Sequence, residues 1–248
     1  MMIDVGLLLH GCPLNIRGLG EVFSPRLRDI YADFDSLHTY NLFRQMVVSD
    51  ASEIRSMIKQ MQIRNTYQMS DLDFDEATKF SLIIEQPFFI DAYCSGLRCF
   101  TNNTVSYNTE VQAFLIQKGD TIVGAVFKDN FEQVESTLSQ LMHDSKEEPS
   151  EAKFASDTAR EWWEKANKLE KTIAPVNHKD YKLSNLISKL ACANCGYTLF
   201  NIYDLTVYQL YDQFTAYAQG RYAALCENAY AHNGGEDFDH TMWLHSEE

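Results

Sequence analysis

Residues 111–127 place the tightest limit on the fold. Val111-Gln-Ala-Phe-Leu-Ile116 and Thr121-Ile-Val-Gly-Ala-Val-Phe127 are rich in β-branched and aromatic residues, with Lys118-Gly119-Asp120 between them. That pattern predicts a β-hairpin turning at Gly119. The segments on either side repeat their apolar residues at helical spacing instead. The expected class is therefore α+β, predominantly α-helical, with a small antiparallel sheet or hairpin near 97–127 and a C-terminal helical arm.

The first helix is expected from Ser24-Pro25, with Ser24 as N-cap, Pro25 at N1, and Leu27, Ile30, Tyr31, Phe34 and Leu37 on one stripe. A second is expected over about 52–62, through Ile54, Met57, Ile58 and Met61. A third, over about 73–86, carries Phe74, Ala77, Phe80, Ser81 and Ile84 and is ended by Pro87. Asn130-Phe-Glu-Gln133 has the form of a capping box opening a helix with Phe131, Val134, Leu138 and Leu141 buried. Residues 143–172 are dense in both charges, with Glu161–Lys165 and Glu164–Lys168 in the favourable i,i+4 order. They are expected to form an exposed helix ending at Pro175. The boundaries that follow are an N-terminal α+β domain at 1–142, a charged linker helix at 143–175 and a C-terminal helical domain at 176–248. Within the last, Lys182–Cys195 forms one helix with Gly196 at its C′ position. Asp204-Leu-Thr opens another, with Val207, Leu210, Tyr211, Phe214 and Ala218 as its stripe.

A formal charge of −14 repels phosphate backbones, so nucleic acid is not an expected partner. No apolar run approaches a membrane span, and Met1-Met-Ile-Asp-Val-Gly reads as a cytoplasmic start rather than a signal peptide. After Arg221 the chain has no Lys or Arg, which makes its end either a solvated tail or a docking segment for a basic partner. Six cysteines in 248 residues are too few for a disulfide scaffold and are expected as reduced thiols, mostly buried as small hydrophobes.

Cys192-Ala-Asn-Cys195 admits three readings: packing, a metal site or a redox dithiol. Zinc wants four ligands, and only Cys226, His178 or His232 could join by folding. A redox dithiol wants a helix N-terminus, and this pair falls at a helix end, where the dipole works against a thiolate. Packing is the preferred reading. His232-Asn-Gly-Gly-Glu-Asp-Phe-Asp-His240 lacks the oxygen spacing of a calcium loop, and Gly18-Leu-Gly20 lacks the Lys-Ser/Thr of a phosphate loop. No pattern for an enzyme stands out, and neither cofactor nor metal is expected.

The run from Asn201 to Phe214 holds more tyrosine than helix burial needs, a composition suited to protein–protein contact or to the rim of a helical core. Leu199-Phe-Asn-Ile-Tyr-Asp-Leu-Thr-Val-Tyr-Gln-Leu-Tyr-Asp-Gln-Phe214 resembles the C-terminal pattern of tail assembly chaperones of long-tailed phages of Gram-positive bacteria. Asp129-Asn-Phe-Glu-Gln-Val134, the Leu183–Leu190 helix and a Trp243-Leu-His245 ending fall in the order of that family, so the resemblance covers about 75–248. Cys192 and Cys195 are no part of it. The resemblance implies no catalysis. It implies binding to the tape measure protein, with the tail-tube protein as a second partner, self-association, and action in the host cytoplasm. The expected contacts are Tyr203, Tyr208, Tyr211, Phe214, Tyr217 and Trp243. A structural virion protein of the neck, baseplate or tail, and a Cys-metal protein around Cys192 and Cys195, are the alternatives.

Overall fold

A computed structural model describes residues 3–63, 74, 76–144, 182–193 and 195–233, with a few side chains near the end of the last helix left out. The chain is α+β and predominantly helical, with two small antiparallel sheets. It divides into two compact units, Met1–Ser145 with Phe200–Glu248, and Lys146–Leu199. The segment 176–248 is thus shared between them. Among the described residues no helix is long and apolar enough to cross a membrane. Beyond Asp144 the helix expected within 143–175 lies outside the described residues, as do Trp243 and, past Asn233, the turn expected at His232–His240; His232 and Asn233 themselves end the last helix.

The first unit opens with α1 (Val5–His10), capped by the Asp4 side chain and closed by Gly11 in the left-handed region at φ 70°. β1 (Leu14–Ile16) and β2 (Gly20–Val22) then pair around Gly18 and Leu19. So Gly18-Leu-Gly20 is a hairpin turn, which the sequence reading did not assign. The helix expected from Ser24 is broken. α2 (Leu27–Ile30) is one turn long, and α3 (Phe34–Val48) starts afresh because Asp33 accepts the Ser36 N–H at 2.6 Å. A capping carboxylate three residues ahead satisfies an orphan amide that a continuous helix would leave to its own carbonyls. That bond holds the Asp33 carboxyl below its ordinary value. α4 (Ala51–Ile63) matches its expected span, opened by a reciprocal Asp50–Glu53 capping box.

α5 (Lys79–Ile84) is shorter than expected, because Thr78 caps Ser81 and fixes its start. Pro87 does more than end it: the proline sits at N1 of α6 (Pro87–Thr101), a helix missing from the sequence reading. Residues 97–101 are therefore helix, not sheet. β3 (Thr104–Asn108), β4 (Ala113–Lys118) and β5 (Thr121–Val126) form a meander in that order, with a register shift at Ile116/Gln117. Gly119 takes the β4–β5 turn at φ 61°. At Gly124 a side chain would stand 2.6 Å from the Leu19 backbone, so only glycine lets β5 meet the first hairpin, where Ala125 N–H donates to Gly18 O at 2.7 Å.

α7 (Phe131–Leu141) starts at Asn130, but not by the expected box. The Asn130 side chain makes no cap bond and turns back, accepting from Phe127 N at 2.7 Å and donating to Ala125 O at 2.9 Å. It fastens the strand-to-helix turn instead. The core joins these elements through rings. Tyr93 lies 5.2 Å from Phe43, 4.6 Å from Phe114 and 5.8 Å from Phe131, and Phe80 lies 5.2 Å from Phe131. Such pairs contribute roughly 0.5–1.5 kcal/mol each beyond the area they bury. Lys79 and Glu135 pair at 2.6 Å beside this cluster.

In the second unit α8 (Leu183–Cys192) buries Leu183, Leu186, Ile187 and Leu190, the face the sequence predicts. It ends three residues early, with Ala193 as C-cap, so Gly196 at φ 85° is not its C′ residue. The expectation of mostly buried cysteines is corrected here too. Cys94 is buried and Cys12 and Cys99 are intermediate, but Cys192 and Cys195 are exposed.

Candidate functional site

The aromatic run begins with a 3₁₀ turn, Ile202–Asp204, and continues as α9 (Val207–Asn233). Thr206 and Gln209 form a capping box: Thr206 Oγ1 accepts the Gln209 N–H at 3.2 Å, and Gln209 Oε1 accepts the Thr206 N–H at 2.8 Å. Two further orphan amides of this helix are met from far along the chain. Val207 N–H donates to Pro25 O at 2.9 Å, and Tyr208 N–H donates to Ser24 Oγ at 3.0 Å. Leu27 N–H donates to Leu205 O at 2.9 Å, closing a small antiparallel bridge at Arg26 and Thr206. Ser24-Pro25 therefore caps the last helix, not the first. Asp204 pairs with Arg28, and Gln209 Nε2 reaches Leu9 O at 2.7 Å, tying α1 to the same junction. Thr206→Ala should cost about 1 kcal/mol, the usual worth of an N-cap hydroxyl. A urea unfolding midpoint measures it.

The first turns of α9 dock on an electrostatic and aromatic seat. Arg44 grips Asp144 with both ends of its fork, at 2.6 and 2.8 Å, and its guanidinium stands 5.8 Å from the Tyr211 ring centre. His143 packs on both tyrosines, its ring 5.0 Å from Tyr208 and stacked 5.9 Å from Tyr211. What aims it is the end of α7. His143 sits at φ 58°, with its N–H on Gln140 O and the Asp144 N–H on Ser139 O, a Schellman closure in which histidine takes the usual place of glycine. A side chain in this left-handed position is strained, and its ring contacts offset the cost.

The charges follow the geometry. Burial pushes the Tyr211 phenol up, with Arg44 opposing and Asp144 adding to the shift. Burial acts against the Arg44 charge, but the Asp144 bond and the neighbouring tyrosines raise it on balance. Tyr31 is raised by burial and then by Tyr203, whose ring meets it edge-on at 5.8 Å.

Of the expected contact residues, Tyr208 is 7 % exposed and occupied within its own unit, Tyr211 is half-buried at the same seat, and Tyr203 is half-buried against Tyr31. Phe214 and Tyr217 are half-buried one and two turns on. The stripe then fades: Thr215, Ala216, Ala218, Gly220 and Arg221 are exposed. Sequence reasoning missed Arg44, His143, Asp144 and Ser24, which the fold brings to this helix from distant segments. It also missed α1, whose Val5, Leu7 and Leu9 are exposed apolar residues. No group of three metal-ligating side chains occurs among the described residues, and the Cys226 side chain lies outside them.

No curated protein and no solved structure matches this chain. Residues 176–248 match the family model of the YomV second domain, a phage-derived family. That matched segment contains the whole aromatic run and points to a phage protein.

Proposed function

We propose that the chain is a tail assembly chaperone of a long-tailed phage. It binds the tape measure protein, keeps it soluble in the host cytoplasm and helps recruit tail-tube subunits, without catalysis, cofactor or contact to nucleic acid. The observation that carries the reading is the aromatic segment itself: the run resembling such chaperones lies inside the phage-derived match. The geometry lends support. α9 is fixed by its first turns and exposes much of its surface from Thr215 onward, and the exposed apolar residues of α1 lie on the element bonded to Gln209. A long helical partner with apolar stripes would find small and apolar residues to cover it. An acidic body of charge −14 would keep the assembly dispersed. Modest affinity per copy suffices when many copies line a repeating target, and it permits later replacement by tube subunits.

The geometry also selects the variants. Alanine at Tyr208 or Tyr211 would empty the seat and loosen α9, so lost binding would not separate contact from folding. Phe214→Ser with Tyr217→Ser leaves the seat intact. On co-expression with a tape measure protein, the wild type should give a soluble complex holding several copies of this chain. The double variant should recover at least about tenfold less partner, the loss of one ordinary hot spot. Undiminished recovery in a variant that melts like the wild type would remove the site. Presence of the chain in purified mature particles would favour a structural virion protein instead.

A further inference from the structure

The β3–β4–β5 sheet is apolar on its outer face as well as its inner one. On the inner face Phe114, Ile116 and Val126 are fully buried. Strand alternation sends Leu115 and Ala125, which pair with one another, to the other side, where both are half-buried. Unbroken alternation would turn Ile122 inward with Gly124. The register shift at Ile116/Gln117 adds Val123 to β5 and sets Ile122 opposite Gln117 instead, on the outer face, where it is 55 % exposed. Phe127 continues the alternation past Val126 and is 42 % exposed. The Asn130 side chain fixes its backbone by accepting the Phe127 N–H at 2.7 Å.

We propose that Leu115, Ile122, Ala125 and Phe127 form a contact between two copies of this chain, packed face to face about a two-fold axis with their β5 strands antiparallel. The charges at the ends of the strip select the occupant. Lys118 and Asp120 stand where β4 turns into β5, and Lys128 and Asp129 where β5 runs towards α7; all four are exposed. None of them joins an ion pair among the described residues. The two-fold axis carries each end of one copy to the opposite end of the other. Lys118 then meets Asp129 of the second copy, and Asp120 meets its Lys128. Every contact is made twice, as an isologous interface requires. An unrelated partner would have to bring the same alternation of charge, whereas a second copy brings it by symmetry. The four charges also cancel, so two bodies of charge −14 can approach here with little local repulsion. Pairing along the strand edges fits less well. Arg98 donates to Val105 O at 2.9 Å on the β3 edge. On the β5 edge the Ala125 N–H donates to Gly18 O, and the Ala125 carbonyl accepts from the Asn130 side chain. Strand addition needs such groups free, and face-to-face packing leaves them as they are. The contact is separate from α9 and does not depend on what α9 binds.

The test uses the full chain in about 0.15 M salt, with mass followed by sedimentation and light scattering as concentration rises from micromolar to near-millimolar. Mass should climb from 28.5 kDa to twice that value and stop. Ile122→Lys should stay at 28.5 kDa throughout and keep the wild-type melting temperature, since residue 122 is exposed in the single copy. That variant also makes the chain less negative, so its failure to associate could not be assigned to repulsion. Lys118→Asp should weaken the dimer by about tenfold, since two symmetry-related ion pairs become like-charge contacts. Adding Asp129→Lys should restore it. Adding Asp120→Lys, which returns the same net charge at the wrong end, should not. A wild type that is monomeric at every concentration would overturn the contact. So would a dimer indifferent to Ile122→Lys, or a mass that grows beyond two copies. A Lys118→Asp chain that dimerises like the wild type, or a defect that both second substitutions repair equally, would overturn the antiparallel arrangement.

Discussion

Gly96→Ala should lower the stability of this protein by on the order of 3 kcal/mol, the upper range for overpacking a core. A β-carbon at position 96 would lie 2.1 to 2.3 Å from carbons of the Phe43 side chain. Phe43 cannot give way freely. It is fully buried and held by Tyr93 at 5.2 Å and Phe100 at 5.5 Å. Helix propensity alone argues for the opposite sign, since alanine is better than glycine in a helix interior by about 1 kcal/mol. The substitution therefore sets close packing of α3 on α6 against intrinsic helicity, and packing should win. Urea unfolding measures the change. Phe43→Ala in the same chain removes the Cγ and Cδ2 that the new methyl would meet, though not the Cβ, so the double variant should be more stable than the sum of the singles by about 1 kcal/mol or more. A Gly96→Ala protein as stable as the wild type would show that α3 and α6 are not in the contact described.

What the sequence made legible was local. The β4–β5 hairpin carries its own turn glycine and its own β-branched strands, and its span was readable to within about two residues. α4, α8 and the start of α9 were readable for the same reason: each carries an apolar stripe, and Thr206 and Gln209 cap α9 from within. Legibility failed where a side chain works at a distance. Ser24-Pro25 has the form of a helix start, and its hydroxyl does cap a helix, but one 184 residues away. Asn130 stands at an N-cap yet serves the preceding strand. Nothing near Gly96 in the chain announces that Phe43 packs against it. The aromatic run was visible in the sequence, and its surroundings were not. Its tyrosines could be counted in the sequence, but Arg44, His143 and Asp144, which seat Tyr208 and Tyr211, are brought there only by the fold. The exposure of Cys192 and Cys195 could not be read from spacing at all, because the same CxxC suits a core or a surface.

The same buried rings should make the protein unusually sensitive to alkali. Tyr40 and Tyr93 are fully buried, and neither hydroxyl has a hydrogen-bond partner. Burial raises both phenols well above 10.0, with Glu135 adding to the effect at Tyr93, while Arg44 opposes it at Tyr40. Below pH 10 the folded and unfolded states both hold these protons, and the stability is intact. Above it the unfolded chain releases them and the folded chain does not, so stability falls as pH climbs towards the folded values. The slope is about 1.4 kcal/mol per pH unit for each tyrosine, or roughly 2.7 kcal/mol for the two together. Cys94, whose thiol burial pushes up to about 11, starts the decline earlier, between 9 and 11. Tyr40→Phe and Tyr93→Phe separate these contributions. Each removes a hydroxyl that satisfies nothing, so each should change stability at pH 7 by less than about 1 kcal/mol. Each should also flatten the alkaline slope by about 1.4 kcal/mol per pH unit, leaving the Cys94 part in place. Urea midpoints at a series of pH values from about 8 to about 11.5 decide it. A double variant that loses stability as steeply as the wild type would mean that the two phenols already titrate freely in the folded protein, and that the α3–α6 core admits water.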